Sequence, residues 1–280
     1  MMKSSQSILF SLFVLVCPLT IWSQSILTAS AVEISASKLD AVPTFNYVKL
    51  KGSDDVNVQY YLTTALAVAA GYDHDTAISI GLYNQLLDDQ RKTSSSPWLN
   101  FKARRQYHFT SAKQREKLWS QFEASHNVAH LSMYLHAIQD SIYHRGFGWI
   151  LGHVFKGHQP DQSWLPQNFA KNQEVLQLTY SKLLAATPLL KQQHGAIPFG
   201  NFSEAATAFL QASSIAEKSE QFRVLCARIE KPTQAQQLLN RTQLAMATYD
   251  SNPNFRQQLS RKPENCKALL QLQNLQAWRD

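Results

Sequence analysis

NVAHLSMYLHAIQDSIYHRGFGWILGHVFKGHQPD, residues Asn127–Asp161, carries a dense run of imidazoles. Within it His136, Asp140 and His144 fall at i, i+4 and i+8. A helix advances about 100° per residue, so these three drift by only about 40° and 80° and share one face. The opposite face carries Leu131, Leu135, Ile138 and Ile142, the apolar stripe of a packed helix. His153, His158 and Asp161 follow in a glycine-punctuated loop, where the chain can turn back over the polar face. Three polar groups among so many apolar neighbours are costly to bury without a partner. A divalent cation supplies one, and zinc suits imidazole nitrogen with carboxylate oxygen. The reading without an ion is a hydrogen-bonded polar seam. HxxxD alone is common by chance; HxxxDxxxH followed by GHxxxGHxPD is much less so.

The 280-residue chain is 44% hydrophobic, enough for a sizeable core in one large or two small domains, and too much for a disordered chain. Basic residues number 27 against 20 acidic, a net charge of +7, with a pI near 9.3. They are scattered; the longest cluster is Lys102, Arg104 and Arg105, just before His108. Such a balance favours phosphate-bearing partners, whether membrane surface or nucleic acid, and equally describes a solvated surface.

Val56–Ala70 has helical apolar spacing, with Gly71 placed to end the helix. Asp73 or Asp75 can cap the next helix, which runs to about Gln90 and finishes with Leu86, Leu87, Asp88 and Asp89. Thr93–Pro97 reads as a loop, and Tyr107-His108-Phe109 follow it. Ser111 with Gln114 forms a capping-box start for a helix through Glu123. After Asp161, segments 164–186, 203–228, 233–250 and 264–279 read as amphipathic helices separated by Pro188, Pro198–Gly200, Pro232, Pro253 and Pro263. The sequence has no convincing alternating strand, glycine-rich phosphate loop, nucleophile elbow or internal repeat. The expected fold is all-α: one helical domain over 56–280, with 56–165 holding the metal site and 166–280 closing the bundle around its central helix.

Residues 1–31 have the layout of a secretory signal: Lys3, an apolar run from about Ile8 to Trp22, and small residues ending at Ala29-Ser30-Ala31. The run is short for a membrane span and contains Pro18. Cleavage near Ala31 is expected, giving a secreted or periplasmic protein with no transmembrane span. Cys17 makes a poor lipoprotein signal, because Leu15-Val16 precede it. Residues 32–55 lack a period and read as an extended lead-in. Cys226 and Cys266 then remain, as a disulfide or as two buried thiols.

Leu135–His144, LHAIQDSIYH, resembles the LHxxQDxxxH core of bacterial proteins related to zinc-dependent phospholipase C, a superfamily that includes fungal and plant single-strand nucleases. Gly152-His153 and Gly157-His158-Gln159-Pro160-Asp161 resemble the continuation in poorly characterised exported members. The similarity spans about residues 56–165, and its specific part is about 30 residues. It implies an all-helical domain with up to three zinc ions that hydrolyses phosphoesters. Position by position, Asp88 or Asp89 resembles the first carboxylate ligand, His108 the histidine after it, and His136 with Asp140 the helical pair, Asp140 bridging two ions. His144 would begin a second site completed from His153, His158 and Asp161. The resemblance further implies a mature N-terminal tryptophan and an early histidine. Cleavage here would expose Val32, and the first helix offers Gln59, Tyr60 and Tyr61 instead, so two ions are expected and the third is left without its ligands.

As catalyst, such a pair of ions would activate water against a phosphodiester, with Asp88 or Asp89 orienting or deprotonating it. Arg104, Arg105 or Arg145 would steer the anion, and Phe147, Trp149 and Phe155 would form an apolar wall for a lipid or a stacking surface for a base. Phospholipid is the expected substrate ahead of nucleic acid, with peripheral membrane contact. The competing expectation is a helical zinc protein without activity. His74, His126, His130 and His194 read as ordinary core or surface residues.

Overall fold

The computed structural model describes residues 56–90, 92–94, 100–147, 159–192 and 194–261, all within the compact unit Pro43–Asp280. Every regular element among them is helical, so the fold is all-α. A π-helical segment, Val56–Leu62, runs into α1 (Thr63–Ala69), then α2 (His74–Asp89). The short α3 (Phe101–Ala103) continues into a second π-helical segment, Arg104–His108, followed by α4 (Ala112–Ser125) and α5 (Val128–Tyr143). The bundle is completed by α6 (Phe169–Ala186), α7 (Ser203–Gln211), α8 (Ile215–Ile229), α9 (Pro232–Ser251) and α10 (Pro253–Arg261). The signal-like segment, the lead-in, Cys17, Trp149, His153, Phe155, His158, the expected helix 264–279 and Cys266 lie outside the described residues.

α5 is the hub, packed against α2, α4, α6 and the second π-helical segment. Its stripe of Leu131, Leu135, Ile138 and Ile142 is buried as expected, but so are Ser132, His136, Gln139 and Asp140. The helix is therefore interior on both faces, which the one-sided pattern did not announce. Its polar face meets polar residues of α2 and of the two π-helical segments.

Local signals account for most boundaries. Gly71 sits at φ +99, and a Cβ there would fall 2.3 Å from the His194 carbonyl oxygen, so it both ends α1 and admits the returning loop. Asp73, not Asp75, caps α2, accepting from the Thr76 amide at 2.9 Å. Ser111 caps α4 through the Gln114 amide at 3.2 Å, but the Gln114 side chain donates to the Gln106 carbonyl, so only half of the expected capping box forms. The expected single segment 203–228 is two helices. Ser214 and Glu217 make a complete capping box that starts α8 afresh. Pro253, read as a separator, instead opens α10, where the Asn252 side chain accepts from the Phe255 amide at 3.0 Å.

The first π-helical segment is stapled into the core. Tyr60 is fully buried and its hydroxyl donates to the Thr242 carbonyl of α9 at 2.6 Å. Tyr61 meets Phe222 of α8 edge-on with centroids 5.2 Å apart. Lys218, also buried, donates to the carbonyls of Phe209 and Leu210 at 3.0 and 3.1 Å, closing the C-terminus of α7. Tyr60→Phe removes one net hydrogen bond and no packing volume. It is expected to lower unfolding free energy by about 1 kcal/mol in urea titrations, without changing metal content.

Candidate metal centre

Asn84 and Asp88 stand one turn apart on α2, His136 and Asp140 one turn apart on α5, and His108 ends the π-helical segment beside them. That segment closes with an i to i−5 bond from the Phe109 amide to the Arg104 carbonyl, a wide turn of a kind often found at functional sites. His108 Nδ1 lies 2.9 Å from Asp140 Oδ2, 3.2 Å from His136 Nε2 and 3.5 Å from Asp88 Oδ1. His136 Nε2 lies 3.5 Å from Asp140 Oδ2 and 3.7 Å from Asp88 Oδ1.

Donors bound tetrahedrally at about 2.0–2.1 Å stand roughly 3.3–3.4 Å from one another. The five separations bracket that edge. Asp88, His108 and His136 form a group that could hold a metal ion, and Asp140 Oδ2 lies at the edge distance of a fourth donor from both imidazoles.

Hydrogen bonds behind the centre fix which ring nitrogen faces it. His108 Nε2 lies 2.8 Å from the Thr93 carbonyl, which can only accept, so Nε2 carries the proton and Nδ1 turns its lone pair inward. His136 Nδ1 lies 3.1 Å from Asn84 Oδ1. Asn84 Nδ2 donates to Gln139 Oε1 at 2.8 Å, and Gln139 Nε2 donates to Thr63 Oγ1 at 2.8 Å. Thr63 passes its own hydrogen to the Val58 carbonyl. This relay holds the Asn84 oxygen toward His136, so Nδ1 donates and Nε2 faces the centre. Two imidazole lone pairs and two carboxylate oxygens thus converge, a set that repels itself unless a cation or a proton lies among them.

Titration follows the same geometry. Burial holds His136 down to about 4, so it is neutral at physiological pH. Burial also opposes charge on His108, but the hydrogen bond and charge of Asp140, then the charge of Asp88, carry it above its ordinary value. Burial would raise Asp140, yet His136, His108 and His144 outweigh it and hold the carboxyl well below the carboxylate range. A proton between His108 and Asp140 partly satisfies the centre, and an ion binding there displaces it.

Asp140 also looks the other way. Its Oδ1 accepts from Gln59 Nε2 at 3.2 Å, and its Oδ2 lies 3.8 Å from His144 Nδ1. The second nitrogen of His144 is 2.6 Å from Asp161 Oδ1, a carboxylate–imidazole pair of the kind that orients a metal-ligating histidine. Asp161 therefore reaches Asp140 through the His144 ring. Burial opposes charge on His144; the Asp161 hydrogen bond and the Asp140 charge raise its pKa. His108 and His144 border a cleft of about 310 Å³ that Arg115, Ser141, Arg145 and Phe147 also line. Arg145 pairs with Glu174 at the rim.

The sequence left Asp88 and Asp89 as alternatives, and the structure separates them. Asp89 Oδ2 accepts from the Tyr249 hydroxyl at 2.9 Å and turns toward α9. Asp88→Asn is expected to weaken metal affinity by about 10–100-fold in competition with a chromogenic chelator, whereas Asp89→Asn leaves it within about twofold. Arg104 is buried, its guanidinium 5.1 Å from the Phe109 ring centroid, so it supports the site from behind. Sequence reasoning missed Asn84, Thr93 and Gln139, and named Gln59 only as standing where an early ligand was expected. Asn84 carried a signal, standing four residues before Asp88; the Thr93 carbonyl carried none.

No family model matches the chain, nor does any curated protein or solved structure.

Proposed function

We propose that this chain is a zinc-dependent phosphoesterase, related in its ligand pattern to zinc-dependent phospholipase C and exported by its N-terminal leader. The observation that carries the reading is the convergence of Asp88, His108 and His136, with Asp140 at edge distance from both imidazoles, beside a third imidazole, His144, that opens on a cleft. Zinc held beside that cleft would polarise a phosphoryl oxygen and lower the pKa of a water. The chain's own groups divide the remaining work. The quartet offers four protein donors, so the first position is closed and serves to anchor Asp140. Asp140 then faces His144, whose ring Asp161 orients, and this second position adjoins the cleft where a phosphodiester would enter. Arg115 and Arg145 place positive charge along its wall, with Phe147 as its apolar lining. A phospholipid headgroup is the proposed substrate, ahead of a nucleic-acid phosphodiester.

One observation favours a second reading. A closed set of four buried or half-buried ligands is also how structural zinc is held, and a chain using the quartet alone would bind one ion without turnover. Elemental analysis of the purified protein, with a chromogenic phosphodiester assay before and after chelation, separates them. About two zinc per chain, with hydrolysis that chelation removes and zinc restores, supports the phosphoesterase. One zinc per chain with no hydrolysis of lipid or nucleotide substrates supports the structural role.

A further inference from the structure

A second concavity, of about 840 Å³, opens beside the metal cleft, and Phe109 and Ser111 line both. Lys102, Arg105 and Lys117 line it together with Gln114, and no acidic side chain among the described residues does. These three cations come from separate elements, α3, the second π-helical segment and α4, so folding rather than sequence adjacency gathers them. All three are exposed. Like charges around a concave wall raise the local potential and favour a bound anion. Phe101 at the same site is 38% exposed, one of two large hydrophobic residues so open among the described residues, and gives an apolar face beside the charges.

Phe109 is the aromatic part of the partition between the clefts. It stacks on His144 with centroids 5.0 Å apart, while the Arg104 guanidinium lies 5.1 Å from its centroid. A ligand whose phosphate lies at His144 and whose body passes over Phe109 therefore meets Lys102, Arg105 and Lys117 next.

We infer that this concavity is an anion subsite for a second phosphate, so that the favoured substrate carries another phosphate beyond the one at the metal centre. The inference deepens the phosphoesterase reading, and for the position of the first phosphate it rests on it. The subsite itself needs only the three cations and the cleft.

Equilibrium binding of butyl phosphate and of butane-1,4-diol bisphosphate to the zinc-loaded full chain tests it. The bisphosphate is expected to bind roughly tenfold more tightly than the monophosphate, the advantage three exposed charges can supply together. The triple variant Lys102→Gln, Arg105→Gln, Lys117→Gln should erase that advantage while holding monophosphate affinity within about twofold. A control removing three exposed charges elsewhere, Lys191→Gln, Arg228→Gln and Lys231→Gln, should leave the advantage in place. Equal affinity of the two ligands for the wild type, or an advantage that survives the triple variant or falls equally in the control, overturns the subsite. Bisphosphate binding that the triple variant abolishes, in a protein that neither binds monophosphate nor hydrolyses diesters, would keep the subsite and discard the phosphoesterase.

Discussion

Replacing Asp140 by alanine is expected to empty both metal positions and reduce phosphodiester hydrolysis by at least about 10³-fold, because the ions supply several kcal/mol of charge stabilisation and each 1.4 kcal/mol is tenfold. The effect is large because, in the proposed site, one carboxylate would serve two centres. Asp140 Oδ2 is 2.9 Å from His108 and 3.5 Å from His136, and it is the acidic group nearest His144 on the same helix. Asp140→Asn, which keeps the volume, should lose metal as well, excluding collapse of the helix as the cause. The metal-free proteins give a second readout with a definite sign. The folded pKa of His108 lies above its unfolded value, largely through Asp140. Its protonation therefore stabilises the fold fully below about pH 6.5, and that contribution is lost as pH rises through the folded pKa. Without Asp140 the acid-side contribution disappears, so urea titrations should show the variant losing more stability at about pH 5.5 than at about pH 8. Undiminished zinc in the alanine variant would remove Asp140 from the centre.

What could be read in advance follows from the range of the interactions. His136, Asp140 and His144 share one helix face, and helical spacing alone places them together. The all-α class followed from apolar periodicity and from the absence of alternating strands. The choice between Asp88 and Asp89 is different. Neighbours on a helix point about 100° apart, so one must miss the centre; which one depends on how α2 is rotated against α5, and that is set by packing. Gly81 sets the neighbouring contact of α2 with α1, since a Cβ there would fall 2.3 Å from Thr64 Oγ1. The relay through Thr63, Asn84 and Gln139 crosses three helices, so no single stretch could announce it. The break between α7 and α8 was legible, because Ser214 and Glu217 already had capping-box spacing. It went unread because alanine and glutamine on both sides continue the helical composition.

His144→Ala should separate the two metal positions. His144 meets the first centre through Asp140, at 3.8 Å, while Asp88, His108 and His136 form their group without it. The variant is therefore expected to keep about one zinc per chain and a melting temperature close to wild type, yet to lose phosphodiester hydrolysis by about 10³-fold or more. Asp161→Asn should give a milder version of the same result, with metal affinity at the second position falling by about 10–100-fold, because its carboxylate orients the His144 ring without reaching Asp140. The stacking of Phe109 on His144 adds a control. Phe109→Leu keeps an apolar partition and should retain both ions. Hydrolysis surviving in His144→Ala at the wild-type rate would take the chemistry away from His144 and overturn the proposed second position. Loss of both ions would instead make His144 part of one cooperative centre, with Asp140 held only when both sides are filled.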